Sequence, residues 1–376
     1  MKQKVCHVNM GGGIAGALKN IALTLGDSSQ YDIVLFCASI NYNFEELSKA
    51  MKDQFPNAVV MGCSTCGEIS PDGFTDGGIV VAGITCPGSK VSGVLLEGAH
   101  KFLYASKNQI ENAAAECGIS RDNSKNSFAL IFVNALFNAE ENVLAVLHAV
   151  LGNGFPVVGG SAGDDLQFSK TYVSLDGKVA NDGVAILFVR TNEKFHILRE
   201  NIFRSTGKVL NITEADTENR KIISIDGQNP TRRYAQILGV SENELKENME
   251  LQMMGRVFGS HIFVSSIQGF NSDGTINLYS RLLPNTPVEV LEPVDIMQTV
   301  KATCDTVLKN IPRPGVVFMV NCIQRTIRFK NQHIDAKIRD VYNNAFHESF
   351  IGFTSYGEQI NRIHSNSTFV ILAVEE

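Results

Sequence analysis

The sequence predicts a mixed α and β fold, with two packed units of mixed β-sheet flanked by helices. Three observations lead there. Short apolar runs of strand length, such as Ile33-Val34-Leu35-Phe36-Cys37-Ala38, alternate with longer segments of helix-forming residues. Apolar residues make up 44% of the 376 and charged residues 19%, which supplies a substantial core and excludes disorder as the dominant state. The pattern then breaks near Thr191, where a polar and charged stretch runs to Glu200, so domains 1–190 and 191–376 are expected.

In the first domain, Lys4 to Val8 reads as a strand and Gly16 to Leu25 as a helix. Ile33 to Ala38 is apolar throughout, which fits a strand buried on both faces. Asn43 to Asp53 is helical, and Ala58 to Met61 is a strand running into Gly62. Gly78 to Ile84 and Val91 to Leu96 are strands, Asn108 to Glu116 a helix, and Phe128 to Val133 a strand. Glu140 to Val150 is an amphipathic helix, followed by a short strand, Pro156 to Val158, that enters Gly159. Tyr172 to Leu175 and Val184 to Val189, around Asp176-Gly177, read as a hairpin-like pair.

The second domain opens with Ile222 to Ile225, Asp226-Gly227 and a helix from Pro230 to Leu238. Ile262 to Gln268 and Thr275 to Leu278, joined through Asn271-Ser272-Asp273-Gly274, read as a hairpin. Asp295 to Asn310 is a long helix, and Val316 to Val320, Phe350 to Phe353 and Phe369 to Val374 are strands that close the sheet.

Charge and composition exclude some functions. Lys plus Arg is 33 against 39 Asp plus Glu, and there is no basic run, so nucleic acid is not an expected partner. No stretch approaches 18 apolar residues and the N-terminus lacks an apolar leader block, so neither a membrane span nor export is expected. Several of the eight cysteines sit inside apolar runs, and the expected state is reduced, in the cytoplasm.

Internal repeats say more. Gly62-Cys63-Ser64-Thr65-Cys66-Gly67-Glu68 and Gly352-Phe353-Thr354-Ser355-Tyr356-Gly357-Glu358 both follow an apolar strand and both fit G-x-[ST]-[ST]-x-G-E. A looser copy, Gly159-Gly160-Ser161-Ala162-Gly163-Asp164-Asp165, also follows a strand. Each copy is a strand end that turns on glycines and presents hydroxyls, backbone N–H groups and a carboxylate. The competing reading is three tight turns whose carboxylates cap neighbouring backbone. The functional reading places a ligand between turns of the two units. Gly62, Cys63, Ser64, Thr65, Gly67, Glu68, Gly160, Ser161, Asp164, Tyr356, Gly357 and Glu358 would line it.

At these residues the sequence resembles the FIST family. Met61 to Ile69 is similar to the G-C-S-T-x-G-E-I signature of the FIST N-terminal domain, and Val158 to Asp165 to its G-G-S-A-G-D segment. Ile225 to Pro230, with Tyr234 and Leu238-Gly239, resembles the entry to the FIST C-terminal domain. Phe318 to Arg325 resembles that domain's strand ending in C-x-x-R, here Cys322-Ile323-Gln324-Arg325, while Ile351 to Glu358 matches its G-F-x-[ST]-Y-G-E turn and His364-Ser365-Asn366-Ser367-Thr368 its H-x-N-x-T. The resemblance implies a non-enzymatic sensor that binds a small ligand and feeds signal transduction. It adds Arg325 and Asn366 to the ligand-binding residues, Arg325 as partner of a ligand carboxylate or a haem propionate. A subset of the family resembles the NosP-type sensors, which bind haem and nitric oxide and act through a histidine kinase or a cyclic-di-nucleotide enzyme. No kinase, cyclase or receiver segment is left over, so a separate signalling partner is expected. A sensor of an amino acid or another small polar metabolite is the alternative.

Haem b would need an axial ligand. His364, in the terminal motif, is the first choice, His261 and His347 are the next, and thiolate ligation by Cys63 or Cys322 stays open. Other chemistries stay open too. Cys63-Ser64-Thr65-Cys66 is formally C-x-x-C and suits a thiol redox pair, with Cys66 a departure from the family's small residue. Gly159-Gly160-Ser161-Ala162-Gly163 fits the G-x-S-x-G of serine hydrolases, with Ser161 as nucleophile. Gly11-Gly12-Gly13-Ile14-Ala15-Gly16 fits G-x-G-x-x-G, but the following strand ends Cys37-Ala38-Ser39 without the acidic residue a dinucleotide ribose needs. A glycine-rich helix start lining the ligand pocket is the preferred reading there.

Overall fold

The computed structural model describes residues 1–376 except Met10, Ser260 and Glu348. The apolar runs Ile33–Ala38, Phe128–Val133, Val316–Val320 and Phe369–Val374 all lie in strands, and the mixed α and β class holds. The chain forms two compact units. The first comprises Met1–Arg199, Val300–His364 and Phe369–Glu376, and the second Glu200–Thr299 with Ser365–Thr368. The units therefore do not follow chain order, because the strands after residue 314 return to the first.

The first unit holds three six-stranded sheets built on one plan. The first runs Lys2–Val8, Ile79–Thr85, Ile33–Ala38, Val59–Ser64, Val173–Leu175, Lys178–Ala180. The second, read in the same sense, runs Lys90–Leu96, Val184–Arg190, Ser127–Val133, Val157–Ser161, Glu358–Ile360, Ile363–Ser365. The third runs Phe195–Asn201, Thr368–Glu375, Pro314–Cys322, Ile351–Ser355, Glu68–Ser70, Gly73–Thr75. In each, the third and fourth strands are parallel, which requires a long crossover, and helix supplies it: Phe44–Gln54, Glu140–Leu151, or the pair Ile323–Asn331 and Asp335–Phe346. The last two strands are always a hairpin contributed by another repeat. The first repeat gives its hairpin to the third sheet, the third to the second, and the second to the first.

Alternation of side chains across each strand explains the unbroken apolar runs. Ile33, Leu35 and Cys37 join Phe128, Leu130, Phe132, Phe318, Val320 and Phe353 in a core shared by all three sheets. Their neighbours Val34, Phe36 and Ala38 pack under helices with Ile21, Leu47 and Met51. Ala129, Ile131 and Val133 do the same with Ile110, Val143 and Leu147.

The second unit contains a closed barrel of strands in the order Phe203–Asp216, Lys221–Ile225, Ile276–Leu278, His261–Phe270, Met253–Phe258, Thr286–Pro293. Leu210, Ile212, Ile222, Tyr234, Met254 and Val288 fill it. The helix Pro230–Leu238 begins on Asn229, whose side chain accepts the Arg232 N–H, with Pro230 in the first turn.

Two readings are corrected. The hairpin at Asp176-Gly177 joins Val173–Leu175 to Lys178–Ala180, whereas Val184–Arg190 belongs to the second sheet, because a two-residue turn pairs the nearest strand. The polar stretch after Thr191 contains the strand Phe195–Asn201, which lies at a sheet edge where polar side chains are tolerated. Among the described residues no helix is long and apolar enough to cross a membrane.

Candidate functional site

The three glycine turns are the corresponding strand ends of the three repeats. Gly62 pairs with Phe36, Gly159 with Ile131 and Gly352 with Met319, the same register position in each parallel pair. All three turns lie in the first unit and meet there. The Cys66 N–H donates to the Thr354 carbonyl (2.9 Å), the Tyr356 N–H to the Ser161 carbonyl (3.2 Å) and the Gly163 N–H to the Ser64 carbonyl (2.9 Å). In return the Thr354 N–H donates to Gly67 (2.8 Å), the Ser161 N–H to Gly357 (2.8 Å) and the Ser64 N–H to Tyr172 (2.9 Å). Each turn thus bonds to the next and the three close into a ring. The expectation of a site between turns of two units is corrected in this respect: the copies belong to one unit, and their backbones bond to one another.

Side chains complete the ring. Thr65 donates to Glu68 Oε1 (2.8 Å) and, at the matching positions, Ser355 donates to Glu358 Oε1 (2.6 Å). Ser64 donates to the Gly163 carbonyl (2.6 Å). The Asp164 carboxylate accepts the N–H groups of Phe168, Ser169 and Lys170 (2.9, 2.6 and 2.9 Å) and the Tyr356 hydroxyl. Gly67 has φ +124°, and a Cβ there would lie 2.8 Å from the Thr75 carbonyl oxygen, so only glycine serves. Gly160 packs against Val320 and Phe353. Arg325 is buried, its Nε–H donates to Asn321 Oδ1 (2.8 Å), and its guanidinium lies over Phe329 and Phe369. Asn366 is buried in the second unit.

The open space lies beside the ring, in a cleft of about 480 Å³ within the first unit. That is a volume suited to a small organic molecule. One face of the helix Ile323–Asn331 forms a wall, through Ile323, Thr326, Ile327 and Lys330 at helical spacing. Asn41, Cys66, Asp76 and Gly77 line it, as does the segment Asp165-Leu166-Gln167. Of the turn residues, Cys66 and Asp165 therefore reach the cleft. The expectation of a strand ending at Arg325 is corrected: the strand stops at Cys322 and the helix begins at Ile323, inside the motif, so its i, i+3, i+4, i+7 wall was not read from the sequence. Gly11 to Gly16 is absent from the lining: Gly12 caps the helix Gly13–Leu25, and Met10 lies outside the described residues.

The cleft is acidic. Lys330 Nζ pairs with Asp76 Oδ2 at 2.6 Å. Asp165 Oδ2 accepts the Ser39 hydroxyl (2.7 Å), and burial, with Asp76 and Asp164 nearby, raises its pKa. Behind the cleft Glu68 accepts the Gly78 N–H at Oε2 (2.9 Å), and burial pushes its pKa up to about 8.

The candidate haem ligands stand elsewhere. Among the described residues no histidine lines the cleft. His364 is buried, with Nδ1 3.0 Å from Gln359 Nε2, while His261 and His347 are exposed. Burial and the neighbouring Cys37 raise the Cys63 thiol well above its ordinary pKa, and burial pushes Cys66 up to about 11, which opposes thiolate ligation. Cys322 is buried as the cap of the helix Ile323–Asn331. These surroundings do not fit haem. Cys63 sits in the shared core and Cys66 faces the cleft, and both thiols are free. Ser161 donates to Glu140 (2.9 Å) and accepts from Gln359 (2.9 Å), so Gln359 stands between it and His364.

The FIST N domain model matches residues 32–228 and the FIST C domain model residues 230–361. The chain belongs to the FIST family. FIST domains are associated with signal-transduction sensors of small ligands. An uncharacterized protein of Methanocaldococcus jannaschii is 22% identical to this FIST chain, over 90% of the chain and 72% of that protein. Two solved structures of cyanuric acid hydrolase overlay on it at a TM-score of 0.35. One, at 8% identity, spans 100% of both chains. The other, from A. caulinodans, at 7% identity, spans 100% of this chain and 99% of that one.

Proposed function

We propose that this FIST chain is a non-enzymatic sensor whose small polar ligand binds the cleft beside the ring of turns, and that a separate signalling protein such as a histidine kinase reads the result. The observation that carries the reading is the cleft itself: it is bounded by segments of all three repeats, so an occupant touches each of them at once. Its polar groups suit an amino acid or a similar metabolite, with Leu166, Ile323 and Ile327 for an apolar portion. The raised thiol of Cys66 and the buried, carboxylate-bonded hydroxyl of Ser161 favour binding over chemistry. Haem with nitric oxide is the less favoured version, for want of an axial ligand at the cleft.

The test is to purify the protein from cell extract, release bound small molecules and identify them by mass spectrometry. Ile327→Trp, which fills the cleft, is the comparison. A metabolite retained by the native chain, unchanged on incubation, and lost from the variant is the expected result. Equal retention by both overturns the site. A Soret band that shifts with nitric oxide, in protein reconstituted with haem b, would restore the haem version.

A further inference from the structure

Among the described residues two carboxylates line the cleft, Asp76 and Asp165. Lys330, the cation among the described lining residues, is already paired with Asp76, and both Asp76 and Asp164 lie near Asp165. Asp165 has hydrogen bonds from the Ser39 hydroxyl and from the Ile40 backbone, but among the described residues it forms no ion pair. Serine or asparagine at that position would keep such hydrogen bonds without the repulsion. The charge is nonetheless held half-buried at the cleft wall, where an unpaired carboxylate is costly.

The segment that carries it is itself strained. Asp165, Leu166 and Phe168 have φ of +51°, +63° and +49°, and a bulky residue such as leucine seldom adopts that region. The three N–H bonds to Asp164 hold the segment there, which keeps Asp165 and Leu166 on the cleft wall.

We infer that the ligand is an organic cation, a molecule bearing an ammonium or guanidinium group that pairs with Asp165, with an apolar body against Leu166, Ile323 and Ile327. A cleft of about 480 Å³ is far larger than a metal ion needs, and among the described residues no group of three His, Cys, Asp or Glu side chains could hold one. An anionic ligand would meet the Asp165 carboxylate, with Lys330 already paired with Asp76. The inference rests on the cleft being the sensor's site.

The experiment measures the thermal midpoint of the full chain with three matched probe sets: the twenty amino acids, the amines left when their carboxyl group is removed, and the acids left when their amino group is removed. It is repeated with Asp165→Asn and Ile327→Trp, each first shown to melt like the native chain without ligand. The expected stabilisers are amino acids and amines, not the matched acids. Asp165→Asn should weaken them at least tenfold, and Ile327→Trp should abolish them. Stabilisation by the deaminated acids, lost in Ile327→Trp but kept in Asp165→Asn, overturns the cation and leaves the site standing. Stabilisation by no probe, or stabilisation indifferent to both substitutions, overturns the cation at Asp165, and indifference to Ile327→Trp overturns the site with it.

Discussion

Glu68 shows how much a single buried carboxyl decides. Its side chain is fully buried, and the Thr65 hydroxyl and Gly78 N–H only partly offset the cost of taking the charge out of water. Its pKa therefore rises from 4.5 to about 8. Unfolded, the carboxyl loses its proton near its ordinary value; folded, it keeps the proton until about pH 8. Between those values the folded state binds more protons, so stability falls as pH rises from about 4.5 to about 8 and levels beyond. Asp165, also raised, acts in the same direction. Glu68→Gln keeps the shape and removes the titration. The urea midpoint of the native chain should drop between pH 5 and pH 8 by the equivalent of a few kcal/mol. The variant should drop much less, and an equal slope in both proteins would exclude Glu68 as its source.

At the scale of the element, the parallel pair and its closing turn are the repeating unit, and glycine sets how closely the two strands approach. A Cβ at Gly352 would lie 2.1 Å from the Met319 carbonyl oxygen, and one at Gly159 would lie 1.9 Å from that of Ile131. Backbone cannot rotate away as a side chain can. Gly352→Ala should therefore cost about 3 kcal/mol through overpacking, well above the ~0.4–1 kcal/mol gained by stiffening the unfolded chain. Calorimetry should show a fall of about 5 °C or more. Gly154→Ala, where nothing lies within 4 Å, should change the midpoint little, and equal effects would reject the close-approach argument. These turns were legible in the sequence because their signal is local: glycine, hydroxyl and carboxylate within seven positions. Their partners were not. Thr354 and Gly67 bond across nearly the whole chain, and no local pattern announces that distance. The hairpins Glu68–Ser70/Gly73–Thr75 and Glu358–Ile360/Ile363–Ser365 were missed for a second reason, since strands of three residues are too short for periodicity to register. Of the cleft, Cys66 and Asp165 were visible as turn residues, whereas the helix face through Ile327 lay in a segment with no expected element.

For the whole molecule, the hairpin exchange means that no repeat of the first unit is complete by itself. A chain ending at residue 190 keeps the strands of the first two repeats but loses every strand from residue 195 onward, and with them the third sheet. The hairpin Glu68–Ser70/Gly73–Thr75 then has no sheet to join, the second sheet lacks Glu358–Ile360, and the core faces of Leu35 and Phe132 lose Phe318, Val320 and Phe353. The barrel is the opposite case. Its chain enters and leaves at adjacent points, since the Val294 N–H donates to the Ile202 carbonyl (2.9 Å). Among the described residues none of its strands pairs into the three sheets. Replacing residues 203–293 with a short glycine linker should leave a soluble protein that melts cooperatively, with near-ultraviolet circular dichroism from its packed aromatic residues. The 1–190 fragment should be insoluble, or compact without a cooperative transition, because its apolar sheet faces have nothing to cover them. If the fragment folds cooperatively alone, the exchanged hairpins are dispensable and the three repeats are not one cooperative body. If the barrel-less chain fails to fold while the fragment succeeds, the boundary of independent folding lies in chain order after all.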